Sequence, residues 1–150
     1  MAVATLRVAL IFSCEDGMKK LLGMIVLCFG LIGLASAEPV SEAVVVQANG
    51  NKADFERALK LSSNMHEILT KAKFEIVVFG PAVKLLTADS EEAPLIQKIL
   101  DEGIKVIACG RSMKTDNVKE DDLASGVSVV PFGAVHIVNR QKQGWQYFRP

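Results

Sequence analysis

The sequence predicts an α/β fold: a three-layer sandwich in which a mostly parallel five-stranded sheet carries helices on both faces. Three observations predict it. Nearly continuous apolar runs at Ala43 to Ala48, Phe74 to Phe79 and Ile104 to Ala108 lack the polar alternation of a half-exposed strand, as expected of strands covered on both sides. Between them, apolar residues recur at three- and four-residue steps, the period of a helix with one buried face. The two patterns alternate along the chain, and parallel neighbours need such crossovers, which are right-handed.

Taken in order, Ala43 to Ala48 is the first strand and Asn49-Gly50-Asn51 turns out of it. Phe55, Ala58, Leu59, Ser62, Met65, Leu69 and Ala72 mark one face of an amphipathic helix, with Asn51 or Asp54 as its cap. Asn64 shares a second stripe with Leu61 and Ile68, which is either a subunit contact or part of a broad core-facing surface. Phe74 to Phe79 is the second strand, closed by Gly80-Pro81, and Ala82 to Leu86 is a short helical turn or loop. Ser90 to Pro94 opens a helix over Leu95 to Glu102 that Gly103 stops. Ile104 to Ala108 is the third strand. Asn117 and Glu120 have capping-box spacing ahead of a one- to two-turn helix stopped by Gly126. Val127 to Val130 is strand four, Pro131-Phe132-Gly133 a turn, Ala134 to Lys142 the last helix, and Trp145 to Phe148 the fifth strand. With a flavodoxin-like strand order, the carboxyl ends of strands one and three flank the topological switch point, where such sheets bind ligands. That order sets Asn49-Gly50 beside Cys109-Gly110.

Ahead of this domain, Met18 to Ala37 has a basic start, an apolar middle and Ala35-Ser36-Ala37 before Glu38-Pro39, the layout of a secretory signal peptide. A retained anchor is the competing reading, since Leu21 to Ala37 is 17 residues and a span takes about 20. The glycines and the small-residue cleavage site favour removal. Residues 1–17 do not fit ahead of a signal's short basic region, so Met18 reads as the start and 1–17 as an upstream mis-start. The expectation is a periplasmic or otherwise exported protein, off the membrane after cleavage, with a single domain over residues 38–150. Removing the signal takes Arg7, Lys19, Lys20, Glu15 and Asp16 with it, so 17 basic and 17 acidic residues become 14 and 15. Such a balance gives no electrostatic case for a nucleic-acid partner. Cys14 and Cys28 are lost too, which leaves Cys109 alone and excludes an intramolecular disulfide.

Cys109 falls where the third strand gives way to Gly110-Arg111-Ser112-Met113. Backbone amides at a helix start, with Arg111 and Lys114 nearby, favour the thiolate, the species that attacks or carries sulfur. The competing reading is a small apolar residue ending a buried strand. His136, just after strand four, either faces the same crevice or is a half-exposed helix residue between Val135 and Ile137. His66, on the edge of an apolar helix face, reads as a packed, hydrogen-bonded imidazole and not a catalytic one. Two distant histidines and one cysteine make no metal site. Asp89, Glu91, Glu92 and Glu120 to Asp122 sit where helix starts favour carboxylates. Asn49-Gly-Asn-Lys52 lacks the hydroxyl-rich phosphate loop of a flavin site, the ends of strands one and three lack a receiver's acidic residues, and no Gly-x-Gly-x-x-Gly or Walker loop occurs. No cofactor is expected.

Val77 to Leu86, Gly103 to Met113, Asp122-Leu123 to Val130-Pro131 and the ending Gly144 to Pro150 together resemble the DsrE/DsrF-like family. The likeness is to its exported, largely uncharacterised branch and covers essentially all of residues 38–150. The resemblance implies a three-layer, DsrE-like α/β fold and a homo-oligomer, a trimer or hexamer. In the sulfur-relay members it implies a cysteine after strand three that accepts and passes on sulfane sulfur, and Cys109 occupies that position. The expected function is an exported oligomeric sulfur carrier or sulfurtransferase with a persulfide on Cys109. Amides of Gly110 and Ser112 would stabilise the thiolate, and Asn49, Gly50, Arg111 and His136 would line the pocket. Its partners would be a small sulfur species or an acceptor thiol protein. The alternative is a non-catalytic small-ligand-binding or assembly module with an incidental cysteine. A redox enzyme comes last, because any disulfide would have to be intermolecular.

Overall fold

The computed structural model describes residues 42–150, and the signal peptide and the start at Met18 lie outside the described residues. From Ala43 onward the expected alternation holds. Strand β1 (Ala43–Asn49) leads to helix α1 (Lys52–Ile68), whose cap is Asn51: its side-chain oxygen accepts the Asp54 N–H at 3.0 Å. Strand β2 (Lys73–Phe79) runs into a 3-10 segment, Gly80–Leu86, and then α2 (Ala93–Asp101) with Pro94 in its first turn. Strand β3 (Lys105–Cys109) passes straight into α3 (Gly110–Asp116), and β4 (Ser128–Val130) into α4 (Gly133–Lys142) before β5 (Gln146–Phe148).

Two elements differ from expectation near the third strand. The helix expected after Asn117 is only a 3-10 turn over Glu120–Asp122, and the full helix lies before it. Asn117 ends that helix in the left-handed region, φ 56°, a conformation asparagine tolerates better than most residues. The acidic run that looked like a helix start is held instead by Leu86 and Ala88, whose backbone pairs with Ala124 and Asp122. Helix α1 also stops at Ile68, short of Ala72, and with Asn64 exposed and Ile68 81 % exposed most of its second stripe faces solvent, Leu61 being half-buried.

All five strands are parallel, in the order β4-β3-β2-β1-β5. This corrects the flavodoxin-like order. Each of the first three crossovers steps the same way across the sheet, so right-handedness puts α1, α2 and α3 on one face; the return from β4 to β5 lays α4 on the other. Adjacent strands β3 and β4 therefore send their connections to opposite faces. The crevice opens there, outside their carboxyl ends, and not between β1 and β3, which β2 separates.

The two faces are unequal. The first holds the main core, with Phe55, Leu59, Ile76, Leu86, Ile96 and Ile99 fully buried. The second is a thin layer of Val45, Val77 and Ile137 flanked by Phe79 and Trp145, under α4 alone. Phe55 is 0 % exposed at the centre of the main core, so Phe55→Ala is expected to lower stability by about 3–5 kcal/mol. Urea unfolding of the two proteins measures it, and a loss under about 1 kcal/mol would mean that the site collapses around the smaller side chain.

Candidate functional site

The end of β3 carries the site. Odd-numbered residues of the sheet's middle strands face α4, so Cys109 turns its side chain toward the start of that helix, across from Val130 in the strand pairing. There the Gly133 N–H donates to Cys109 Sγ at 3.2 Å. Glycine eases this approach of α4: a Cβ at Gly133 would lie 3.1 Å from Val77 Cγ1, 3.2 Å from Cys109 Cβ and 3.3 Å from Phe79 Cδ1, so its neighbours would have to give.

Helix α3 brings the Ser112 amide and hydroxyl to the same side of the site, where they add to the lowering of the Cys109 pKa. Ser112 Oγ accepts the Gly80 N–H at 2.9 Å. Gly80 sits at φ 67°, a left-handed conformation that suits glycine and aims its amide into the site. The Arg111 amide contributes least, because its own hydrogen bond goes to Pro131 O at 3.1 Å.

These donors set the protonation of the thiol. Burial pushes the Cys109 pKa up, but the Gly133 amide, the Ser112 amide and hydroxyl and the Arg111 amide together outweigh it and hold the pKa below its ordinary value. Cys109 is 6 % exposed and lines one wall of an open cleft of about 400 Å³. Phe79, Pro81, Phe132 and Val135 make the cleft largely apolar, and Ser112, Thr115 and Asp116 supply polar edges. At its rim the Arg111 guanidinium lies over the Phe132 ring, 5.9 Å from its centre, a cation–π placement. Asp116 is neutralised by Lys84 at 2.9 Å. Chemically, the arrangement is a thiol of lowered pKa, bonded by the Gly133 amide, at the side of an apolar slot.

The expected site residues divide. Cys109, Arg111 and Ser112 come together at the cleft. Gly110 contributes no donor to the sulfur; its role is close packing, since a Cβ there would lie 3.3 Å from Val130 O. Asn49 and Gly50 are not in the site. Asn49 pairs in register with Phe79, so β2 stands between it and Cys109, and it lines a separate small cleft with Gln47, Asp54, Arg149 and Pro150. His136 is not in it either, because one turn into α4 its ring has swung down to Glu75 on β2, with Nε2 2.8 Å from Oε2. His66 packs edge-on against Phe74, ring centres 5.4 Å apart, as expected, but its buried Nδ1 has no hydrogen-bond partner among the described residues, which corrects the expectation of a hydrogen-bonded ring. Residues that sequence reasoning passed over are Gly133, Gly80 and the Phe132 wall. The turn Pro131-Phe132-Gly133 was visible as a turn, but nothing local says which strand end its glycine covers.

Three comparisons with known proteins bear on this site. A family model described as the DsrE/DsrF-like family matches residues 43–150. Among solved structures, the chain is similar to MTH1491 from Methanobacterium thermoautotrophicum, titled a protein of unknown function, at 29% identity and TM-score 0.69, covering 72% of this chain and 98% of that one. It is also similar in fold to the ychN protein from E. coli, at 14% identity and TM-score 0.62 over 71% and 99% of the two chains. BT1422 from Bacteroides thetaiotaomicron, titled a conserved protein of unknown function, gives 18% identity and TM-score 0.60 over 71% and 93%. No curated protein matches.

Proposed function

The chain belongs to the DsrE/DsrF-like family, and from that premise we propose that it is a sulfur carrier that holds sulfane sulfur as a persulfide on Cys109. Membership suggests a sulfur-relay-related fold and no particular reaction. The observation that carries the reading is the Gly133 N–H on the sulfur at 3.2 Å, which, with Ser112 beside it, lowers the Cys109 pKa and so raises the thiolate share. In the loading step the thiolate attacks a sulfur of a polysulfide chain. The bond to the rest of the chain breaks, its electron pair leaves with the shortened polysulfide, and Cys109 keeps one added sulfur. Attack by an acceptor thiolate on that outer sulfur returns Cys109 to its starting state, so no net oxidant is consumed.

Two further parts of the reading concern where it works and how it assembles. Export rests on the signal-like residues 18–37. Assembly into a trimer or hexamer is supported by the outer side of α4, where Phe132, Val135 and Val138 stand about half exposed on the face that a single helix covers. Sedimentation at low micromolar protein tests the assembly, and a monomer there would remove it.

The test of the carrier is direct. The protein is incubated with inorganic polysulfide, and the peptide containing Cys109 is weighed with and without reductant. A gain of one sulfur atom that reductant reverses is the expected result. The second reading, a binding module with an incidental cysteine, takes its support from the low exposure of Cys109, 6 %. It requires the peptide to stay unmodified and to resist alkylation, and that outcome would end the carrier proposal.

A further inference from the structure

On the face opposite the main core, a charged cluster sits within the thin apolar layer under α4. Glu75, on β2, has a side chain only 2 % exposed, next in register to Val45 on β1 and Lys105 on β3. Arg140 grips it with two prongs, Nε to Oε2 and Nη2 to Oε1, both 2.7 Å, and His136 Nε2 lies 2.8 Å from Oε2. The Arg140 guanidinium also lies over Trp145, 4.6 Å from the ring centre. Both partners of Glu75 are on α4, the helix whose first residue, Gly133, donates to Cys109 Sγ.

This is a clamp at one end of a rigid rod. Seven residues of helix separate Gly133 from Arg140, about 10 Å along the axis. A two-pronged guanidinium–carboxylate pair fixes direction as well as distance, whereas the apolar contacts of Val45, Val77 and Ile137 would let the helix slide or roll. The other end tolerates little slack, since Gly133 stands at 3.1–3.3 Å from Val77, Cys109 and Phe79 for any added Cβ. A small rotation at Arg140 therefore moves the amide off the sulfur.

We propose that Glu75 is a positioning residue for the Cys109 site: through Arg140 and His136 it locks α4 to the sheet and so keeps the Gly133 amide against the sulfur. The proposal rests on Cys109 being the reacting atom, but its test needs no sulfur donor. The pH midpoint for ionisation of Cys109 is read from the rate of iodoacetamide alkylation, followed by mass at the Cys109 peptide, in the full chain and in Glu75→Gln and Arg140→Lys. Glu75→Gln removes the charge, and Arg140→Lys keeps the charge but loses the fork.

Both variants are expected to raise the midpoint, Glu75→Gln by about one pH unit, which is about a tenfold slower reaction below it. The sign separates this from plain electrostatics. Glu75 is four residues down the strand from the level of Cys109, about 13 Å away. Losing its negative charge would, if anything, lower the midpoint. A folded Glu75→Gln protein whose midpoint is unmoved or lowered overturns the proposal; should that variant fail to fold, Arg140→Lys decides by the same criterion. Polysulfide uptake by the unmodified protein is scored separately. Unmoved midpoints with intact uptake sink the positioning role alone, and raised midpoints without uptake sink the carrier alone.

Discussion

Cys109→Ser is expected to abolish sulfur uptake at this position while leaving the fold in place. A hydroxyl oxygen can accept the same Gly133 N–H that now reaches sulfur at 3.2 Å, so the variant strands no buried donor. It does not ionise where a thiol does, and the attacking species is therefore lost. Gly133→Ala should give a graded version of the same failure. Its Cβ would press on Val77, Cys109 and Phe79 at 3.1–3.3 Å, and where α4 gives by a few tenths of an ångström the Gly133 N–H is drawn off the sulfur, so the upward push of burial on the Cys109 pKa is less opposed. Because the wild-type pKa is held below its ordinary value, uptake should rise with pH and level off earlier than for a free cysteine. In Gly133→Ala the plateau is reached only at higher pH, and uptake near neutrality slows about tenfold for every pH unit by which the plateau is delayed. Stopped uptake assays across pH on the three proteins check this, and an unchanged profile in Gly133→Ala would mean that the amide is not what holds the thiolate.

Arg140→Met is expected to cost about 3–5 kcal/mol of stability at pH 7, the usual result of leaving a buried charge without its partner. The pH dependence shows whether charge is the cause. Burial pushes the Glu75 pKa up, but the hydrogen bonds and charge of Arg140 and His136 outweigh it and hold the carboxyl below its usual value. A carboxylate depressed in this way contributes stability that is fully present above its unfolded pKa, about 4.3. That contribution is lost as the pH falls through the lower, folded value. In Arg140→Met the desolvated carboxyl has only His136 and takes up a proton more readily, so the gap to wild type should narrow as the pH falls through the variant's raised carboxyl pKa toward the depressed wild-type one. Urea unfolding at neutral and acid pH measures both gaps. A gap independent of pH would show that Arg140 works by covering Trp145, from which it lies 4.6 Å.

How far the site could be read in advance depended on how far apart its parts lie in the chain. Cys109, Arg111 and Ser112 are consecutive or nearly so, and a thiol leading from a buried strand into Gly110-Arg-Ser could be recognised locally. Gly133 is 24 residues from Cys109, and Glu75 is 65 from Arg140. Neither pairing leaves a local trace. Asn49 and Gly50 were misplaced for the same reason, since the neighbour of a parallel strand is set by where the crossover lands. His136 is on the expected helix, but one turn of α4 is enough to carry its ring from the cleft to Glu75.

The sequence by itself determined the alternation of strands and helices, the parallel sheet and the position of a thiol at a strand's carboxyl end. Each of these follows from period, length and local chemistry along a short stretch of chain. Only the tertiary structure decided the order β4-β3-β2-β1-β5, and with it which strand ends share a crevice, which amides face the sulfur and which face of the sheet is left to one helix. Hydrophobic pattern records that a strand is buried but not beside what, because apolar burial is non-directional. Direction comes from right-handed crossovers and from hydrogen bonds between groups far apart in the chain, and these exist only once it has folded.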